Sequence, residues 1–274
     1  MAELLGWAEA RGALAEDAAQ EDVTTRLLGA AALRPAALRF IAEDPCVVAG
    51  LPVVDATFRA LDPAARLEIL VADGARVERG ASIAVARASA RTLLAGERVA
   101  LNFLQRLSGI ATLTRRVVDA VAHTGARITH TRKTTPGLRA LECYAVRAGG
   151  GVDNRASLAD AVLWKDNHWV LLQGPLDRAL AGAPPGVPVM VEVETDAQLE
   201  AALRAGVTHL LVDNQTPERL AAWVRRAGPG VTIQASGGIS VDNARAYAEA
   251  GATLIAIGAL THSAPAAPVR GELE

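Results

Sequence analysis

Three short stretches decide the fold: His209-Leu-Leu-Val-Asp-Asn214, Thr232-Ile-Gln-Ala-Ser-Gly-Gly238 and Thr253-Leu-Ile-Ala-Ile-Gly258. Each is an apolar run of strand length that stops at polar or glycine residues. Asp213 and Ser236 are 23 residues apart, and Ser236 and Gly258 are 22 apart. Such spacing is near the minimum for one strand, one helix and two short loops. The same pattern recurs upstream, so strands are expected at Arg127–Thr131, Ala161–Trp164, Val189–Val193, His209–Val212, Thr232–Ala235 and Thr253–Ile257. Strands alternating with helical segments are the signature of βα units around a parallel sheet. Six strands rather than eight predict an incomplete, open barrel. Its carboxyl rim would carry Arg132-Lys133, Lys165-Asp166, Glu192 to Glu194, Asp213-Asn214, Ser236-Gly237-Gly238 and Gly258, where side chains of α/β barrels converge on a ligand.

Upstream of residue 105 the chain changes character. Leu4 to Leu14 has helical apolar spacing, and Asp22 is placed to cap the next short segment. Ala37 to Ala42 alternates like a half-buried strand, Leu51 to Leu61 reads as a helix, and Asp73-Gly74 and Gly80 punctuate short strands beyond Leu67. Arg91 to Leu107 reads as a longer amphipathic helix that includes Arg98. The expected organisation is an N-terminal α/β sandwich domain over 1–107 and an α/β barrel domain over 108–262. The Pro/Ala-rich tail 263–274 is expected to return across the first domain or to be loose.

With 274 residues, 51% of them hydrophobic, the chain can bury a sizeable core, and disorder is excluded. Charge nearly cancels at −2, which argues against duplex DNA or an anionic membrane surface as a bulk partner. No apolar run approaches the roughly 20 residues of a membrane helix, and Met1 to Trp7 has no basic stretch of the signal-peptide kind. Cys46 and Cys143 lie far apart and read as reduced thiols, so a cytoplasmic setting is expected. Of 28 basic residues only two are lysines, Lys133 and Lys165, and both fall on the expected rim.

Four groups carry the chemistry. Arg98, Arg132, Lys133, Arg155 and Lys165 supply planar forks and point charges suited to a small, multiply anionic ligand. Ser236-Gly237-Gly238 and Gly258-Ala259 on successive late strands offer backbone N–H groups to a phosphate. Glu192, Glu194 and Asp213 suit ribose hydroxyls or Mg²⁺, and strand alternation puts Glu192 and Glu194 on one face. The loop Gly149-Gly-Gly-Val-Asp-Asn-Arg155 leads flexible backbone into a rim arginine. His168 is expected to orient its loop by a hydrogen bond. Together these describe a ribose phosphate beside a polyanionic acid. Neither a nucleophile–base pair nor a zinc spacing competes.

Thr131-Arg-Lys-Thr-Thr-Pro-Gly-Leu-Arg-Ala-Leu-Glu142 and Trp164-Lys-Asp-Asn-His168 resemble the quinolinate phosphoribosyltransferase family, the carboxylating nicotinate-nucleotide diphosphorylases. The likeness extends through Glu21-Asp-Val-Thr-Thr25, Glu97 to Thr112, Leu211-Val-Asp-Asn214, Ala235-Ser-Gly-Gly-Ile239 and Gly258 to Pro265. The resemblance implies transfer of phosphoribose from phosphoribosyl diphosphate to quinolinate, with Mg²⁺, giving nicotinate mononucleotide, CO₂ and diphosphate. It implies a homodimer, or an assembly of dimers, in which Arg98 reaches the neighbour's site. Arg98, Arg132, Lys133, Arg155 and Lys165 would hold the ring carboxylates and diphosphate, while Glu192 and Asp213 would meet the ribose or Mg²⁺. Ser236, Gly237 and Gly258 would seat the 5′-phosphate, and Lys133, Glu192 and Asp213 form the catalytic set.

The chain departs from the family at three places. Asn154, expected among the substrate-binding residues, stands where His usually precedes the arginine, Met190 reads as replacing a rim carboxylate, and Cys143 replaces a lysine. Trp164 and Trp169 bracket Lys165 with bulk. These departures leave three alternatives open: a paralogue acting on a related aromatic acid, the molybdenum-transport-associated relative of the same fold, and a non-catalytic binder of phosphate ligands.

Overall fold

The computed structural model describes residues 5–274, so Leu4 and the start of the N-terminal reading lie outside it. In chain order the elements begin α1 (Trp7–Glu16), α2 (Val23–Arg26), β1 (Pro35–Ala42), β2 (Cys46–Val47), α3 (Leu51–Leu61), β3 (Arg66–Ile69), β4 (Arg76–Val77), β5 (Ser82–Ser89) and α4 (Ala90–Val121). They continue β6 (Arg127–Thr129), α5 (Arg139–Ala148), β7 (Val162–Trp164), α6 (Asp166–Leu171), α7 (Leu176–Leu180), β8 (Val189–Val193), α8 (Asp196–Arg204) and β9 (His209–Asp213). The last are α9 (Pro217–Ala227), β10 (Thr232–Ser236), α10 (Ala244–Glu249), β11 (Leu254–Ala256), α11 (Ala259–His262) and β12 (Val269–Leu273). Two compact units emerge. One holds the chain up to Arg115, Thr135–Gly150 and Ser263–Glu274, and the other holds Arg116–Thr134 and Gly151–His262.

The first unit is built on a four-stranded antiparallel sheet of order β12-β1-β5-β3. The tail is therefore not loose: β12 pairs along β1 from Leu38 opposite Leu273 to Ala42 opposite Val269. Its core unites Leu38 and Phe40 of β1, Ile83 of β5, Leu51, Val54 and Phe58 of α3, and Leu93, Leu101 and Leu104 of α4. Helix starts follow local chemistry. Asp22 accepts the N–H groups of Thr24 and Thr25 to open α2. Asp73 accepts from Gly50 and Leu51 at the head of α3, replacing the cap that Gly50 lacks.

Helix α4 runs on to Val121, well past the Leu107 end expected from sequence. Gly109 lies inside the helix, and a β-carbon there would collide with the Pro265 carbonyl oxygen, so the position needs glycine. The glycine serves close approach of the tail rather than a turn.

The second unit is a six-stranded parallel sheet of order β6-β11-β10-β9-β8-β7. All six strands lie within a residue or two of their expected places. From β7 to β11 the order follows the chain. β6 then joins β11, and the ladder is not closed between β6 and β7. An isolated parallel bridge, Thr129 to Val152, lays the loop after the triple glycine along the free edge of β6. α8 and α9 are capped by Thr195 and Thr216. Leu199, Leu220 and Trp223 on these helices are buried, as are Val191, Val193, Leu210, Val212, Ile233 and Ile255 on the strands. Among the described residues no helix is long and apolar enough to cross a membrane.

Candidate active site

Parallel strands send alternate side chains inward, so each inward pair is two residues apart along its strand. The cleft at the carboxyl ends of the second unit's strands shows this layering. Its wall takes Leu163 and Lys165 from the β7 end, Met190 and Glu192 from β8, Leu211 and Asp213 from β9, Gln234 and Ser236 from β10, and Ala256 and Gly258 from the β11 end. The lower member is apolar on four of the five strands, with Gln234 the exception. The upper member is charged, hydroxylic or glycine. Thr131, Arg132, Lys133, Asn154 and Arg155 complete the rim around a cavity of about 530 Å³.

Four of the five sequence-predicted cations share this cavity: Arg132, Lys133, Arg155 and Lys165. The fifth, Arg98, is exposed on α4 in the first unit. Lys165 Nζ donates to Glu192 Oε2 at 2.8 Å, and Glu192 is 4% exposed. The carbonyl of Glu192 accepts from the Trp169 indole at 2.9 Å, which fixes the β8 end against α6. Burial, reinforced by the like charge of Arg132, holds the Arg155 guanidinium below its ordinary value. The like charge of Arg132 bears on Arg155, and an anion bound beside Arg155 would offset it. Lys133 is steadied through its backbone, its N–H donating to Thr131 Oγ1 and its carbonyl accepting from Thr261 Oγ1. A β-carbon on Gly258 would lie 3.2 Å from Lys133 Cδ, so glycine there lets the lysine stem pass.

The acidic side gathers Glu192, Glu194 and Asp213, with one carboxylate oxygen from each lying within 4.8 Å of the others. This oxygen-only set suits a hard cation. Sequence alternation had paired Glu192 with Glu194, and the strand geometry adds Asp213 from β9. Next to it along the sheet, Ser236-Gly237-Gly238 and Gly258-Ala259 lie at the ends of β10 and β11 and line the same cavity.

The departures resolve individually. Asn154 lines the cleft, but its side chain also braces the backbone. Its Nδ2 donates to the His130 carbonyl, and its Oδ1 accepts from the Arg155 N–H. Met190 is not a vacated rim position. It is buried in the lower layer, two residues beneath Glu192, where a carboxylate would be costly. Cys143 is buried on α5 in the first unit. Trp164 and Trp169 pack edge to face, with ring centroids 6.3 Å apart, and neither lines the cavity. His168 Nδ1 accepts the Lys165 N–H at 2.8 Å, the orienting bond expected of it. Sequence reading missed Gln234 and His262, which also line the cleft. Gln234 was findable, since it lies two residues before Ser236 on a strand whose alternation was already assigned.

Comparison with known proteins gives the family. The model of the quinolinate phosphoribosyl transferase N-terminal domain matches residues 22–108, and that of the C-terminal domain matches 110–269. A carboxylating nicotinate-nucleotide pyrophosphorylase of Mycobacterium leprae is 42% identical over 81% of each chain. A probable enzyme of the same name from Synechocystis is 38% identical over 88% of this chain and 83% of its own. The crystal structure of NadC from Streptococcus pyogenes superposes with a TM-score of 0.91 at 35% identity, covering 97% of this chain and 95% of that one. Fold, cleft and likeness define an enzyme of the pentosyltransferase class. The chain belongs to the quinolinate phosphoribosyl transferase family.

Proposed function

We propose that this cleft is where the chain carries out quinolinate phosphoribosyl transfer with decarboxylation, a step of NAD biosynthesis. The observation that carries the assignment to this cleft is the convergence of four cations from three loops on one cavity that also holds three carboxylates and two glycine turns. A dianionic ring and a diphosphate need the cations. The sugar phosphate needs the glycine backbone, and the developing positive charge on ribose needs the carboxylates.

In this reading Arg132, Lys133, Arg155 and Lys165 grip the ring carboxylates and the diphosphate, with Asn154 holding Arg155 in place. Ser236, Gly237 and Gly258 seat the 5′-phosphate. The pyridine nitrogen forms its bond to C1 of the ribose as the bond from C1 to the diphosphate oxygen breaks and the diphosphate leaves with that electron pair. Glu192 and Asp213 offset the oxocarbenium-like charge between these events. The C2–carboxylate bond then breaks, CO₂ departs, and the electron pair left at C2 is stabilised by the cationic ring nitrogen until a proton is taken up. The flat aromatic ring has apolar wall to rest on in Leu163, Met190, Leu211 and Ala256. Glu192, Glu194 and Asp213 would hold Mg²⁺ together with substrate oxygens; when bound it supplies charge neutralisation for the departing diphosphate.

The proposal extends to a cytoplasmic homodimer, or an assembly of dimers, in which the exposed Arg98 completes the cation set of a partner's cleft, with small molecules rather than nucleic acid or membrane as ligands. The test is diphosphate release from phosphoribosyl diphosphate and quinolinate with Mg²⁺. Wild type turns over. Asp213→Ala loses on the order of 100-fold in kcat, the usual scale for one electrostatic stabiliser. An undiminished Asp213→Ala rate would remove the acidic side from the mechanism.

A further inference from the structure

The two halves of the cleft are joined by one side chain to which the reading above gives no role. Asn214 follows Asp213 at the end of β9 and has a left-handed backbone, φ +52°. Its Nδ2 donates to Asp213 Oδ2 at 2.6 Å. Its own N–H donates to the Ser236 carbonyl at 3.0 Å, across the β9–β10 register that pairs Asp213 with Ser236. Its Oδ1 packs against Gly237 so closely that a β-carbon there would fall 2.2 Å from Oδ1 and 2.6 Å from the Asn214 nitrogen. Gly237 itself has φ +86°. Two neighbouring rim turns thus hold left-handed backbone that L side chains rarely adopt, and the closeness of Asn214 leaves room only for glycine at 237.

We propose that Asn214 is a positioning residue that ties the acidic side of the cleft to its phosphate-seating side. It fixes the Asp213 carboxylate and the Ser236–Gly237 backbone as one rigid piece, so that the ribose hydroxyls and the 5′-phosphate are gripped at a set separation. This rests on the reading of the cleft given above and deepens it. Asparagine suits the task because it tolerates the left-handed region while its short amide reaches a neighbouring carboxylate. The amide engages one Asp213 oxygen and leaves the other for the ligand. A residue acting on only one half of the substrate pair has a distinct signature. Disturbing it weakens the phosphoribosyl donor and spares the aromatic acid, whose carboxylates answer to the cations from the other loops.

Asn214→Gly keeps the backbone conformation and deletes the amide, so loss of fold does not confuse the result. Thermal unfolding of the variant checks this. Steady-state KM values for phosphoribosyl diphosphate and quinolinate are measured together with the calorimetric Kd of phthalate. Phthalate carries the two adjacent carboxylates but has no ring nitrogen to ribosylate. The expected result is a rise of about tenfold or more in the KM for phosphoribosyl diphosphate, a fall in kcat, and a phthalate Kd within about twofold of wild type. Unchanged donor KM in Asn214→Gly, or equal weakening of donor and phthalate, overturns the proposal. Failure of the wild-type chain to release diphosphate with quinolinate would instead overturn the functional reading on which it rests.

Discussion

Lys165 Nζ lies 2.8 Å from Glu192 Oε2, joining a side chain that is 45% exposed to one that is 5% exposed. The pair bridges two neighbouring strands, β7 and β8, at the layer where chemistry is expected. A buried carboxylate is destabilised when its hydrogen-bonded cation is removed, and for Glu192 the Asp166 N–H and the charge of Arg155 offset part of that loss. Lys165→Met should lower stability by about 1–2 kcal/mol, reduced from the fully buried scale because the lysine is half in solvent. Glu192→Gln in the same background should recover part of that loss. A double-mutant cycle by chemical denaturation measures the coupling, and a coupling near zero would show that the pair is geometric only.

Burial, with the like charge of Arg132 second, holds Arg155 below its ordinary value. A planar fork that meets a carboxylate with two parallel bonds is not replaced by an ammonium. Arg155→Lys should therefore cost about 10- to 100-fold in kcat/KM for quinolinate while leaving thermal stability near wild type. Full activity in Arg155→Lys would mean that only charge matters at this position.

Glu142 on α5 is completely buried in the first unit. It accepts from Arg106 Nη2 at 2.8 Å, and from the N–H and hydroxyl of Thr135 at 3.0 and 2.9 Å. Deleting it removes the acceptor shared by Arg106 and the two Thr135 donors. Glu142→Ala should destabilise the chain by about 2–4 kcal/mol, and Glu142→Gln by less. Urea titration of both variants checks the order; equal losses would contradict the charge-based account.

Much of the second unit was legible because its information is local. Each βα strand carries its own apolar run and its own polar stop, so the six strands and the rim residues followed from period and spacing. The first unit's closure was not, because β12 pairs with β1 across more than 200 residues and no local pattern names that partner. Helix α4 runs past the expected Leu107 end, and the partner that its Gly109 admits, Pro265, is likewise distant in sequence. At the site, residue types pointed to anion binding, and the resemblance supplied the reaction. The Asn154 bridge to His130 and the Asn214 bridge to Asp213 depend on side-chain direction, which one-dimensional spacing does not carry.

His209 points inward from β9, and its Nε2 lies 3.0 Å from Gln234 Oε1. Burial holds it below the ordinary imidazole value of 6.5, with the Gln234 hydrogen bond opposing in part. The folded chain therefore binds a proton less readily than the unfolded one. Stability from this group is complete above about 6.5 and is lost as pH falls through the lower folded value. Melting temperatures from about pH 7.5 to about pH 5 should fall more for wild type than for His209→Gln, which keeps a donor without titrating. Parallel curves would assign the acid sensitivity elsewhere.

The central claim is that cations from several loops hold a doubly acidic ring beside a seated sugar phosphate. Its most direct test supplies phosphoribosyl diphosphate and Mg²⁺ with quinolinate labelled at the 2-carboxylate, and in parallel with nicotinate and other pyridine or pyrazine acids. The account predicts one labelled CO₂ for each diphosphate released with quinolinate, and little release with the monoacid nicotinate. Diphosphate release with nicotinate but none with quinolinate would contradict it.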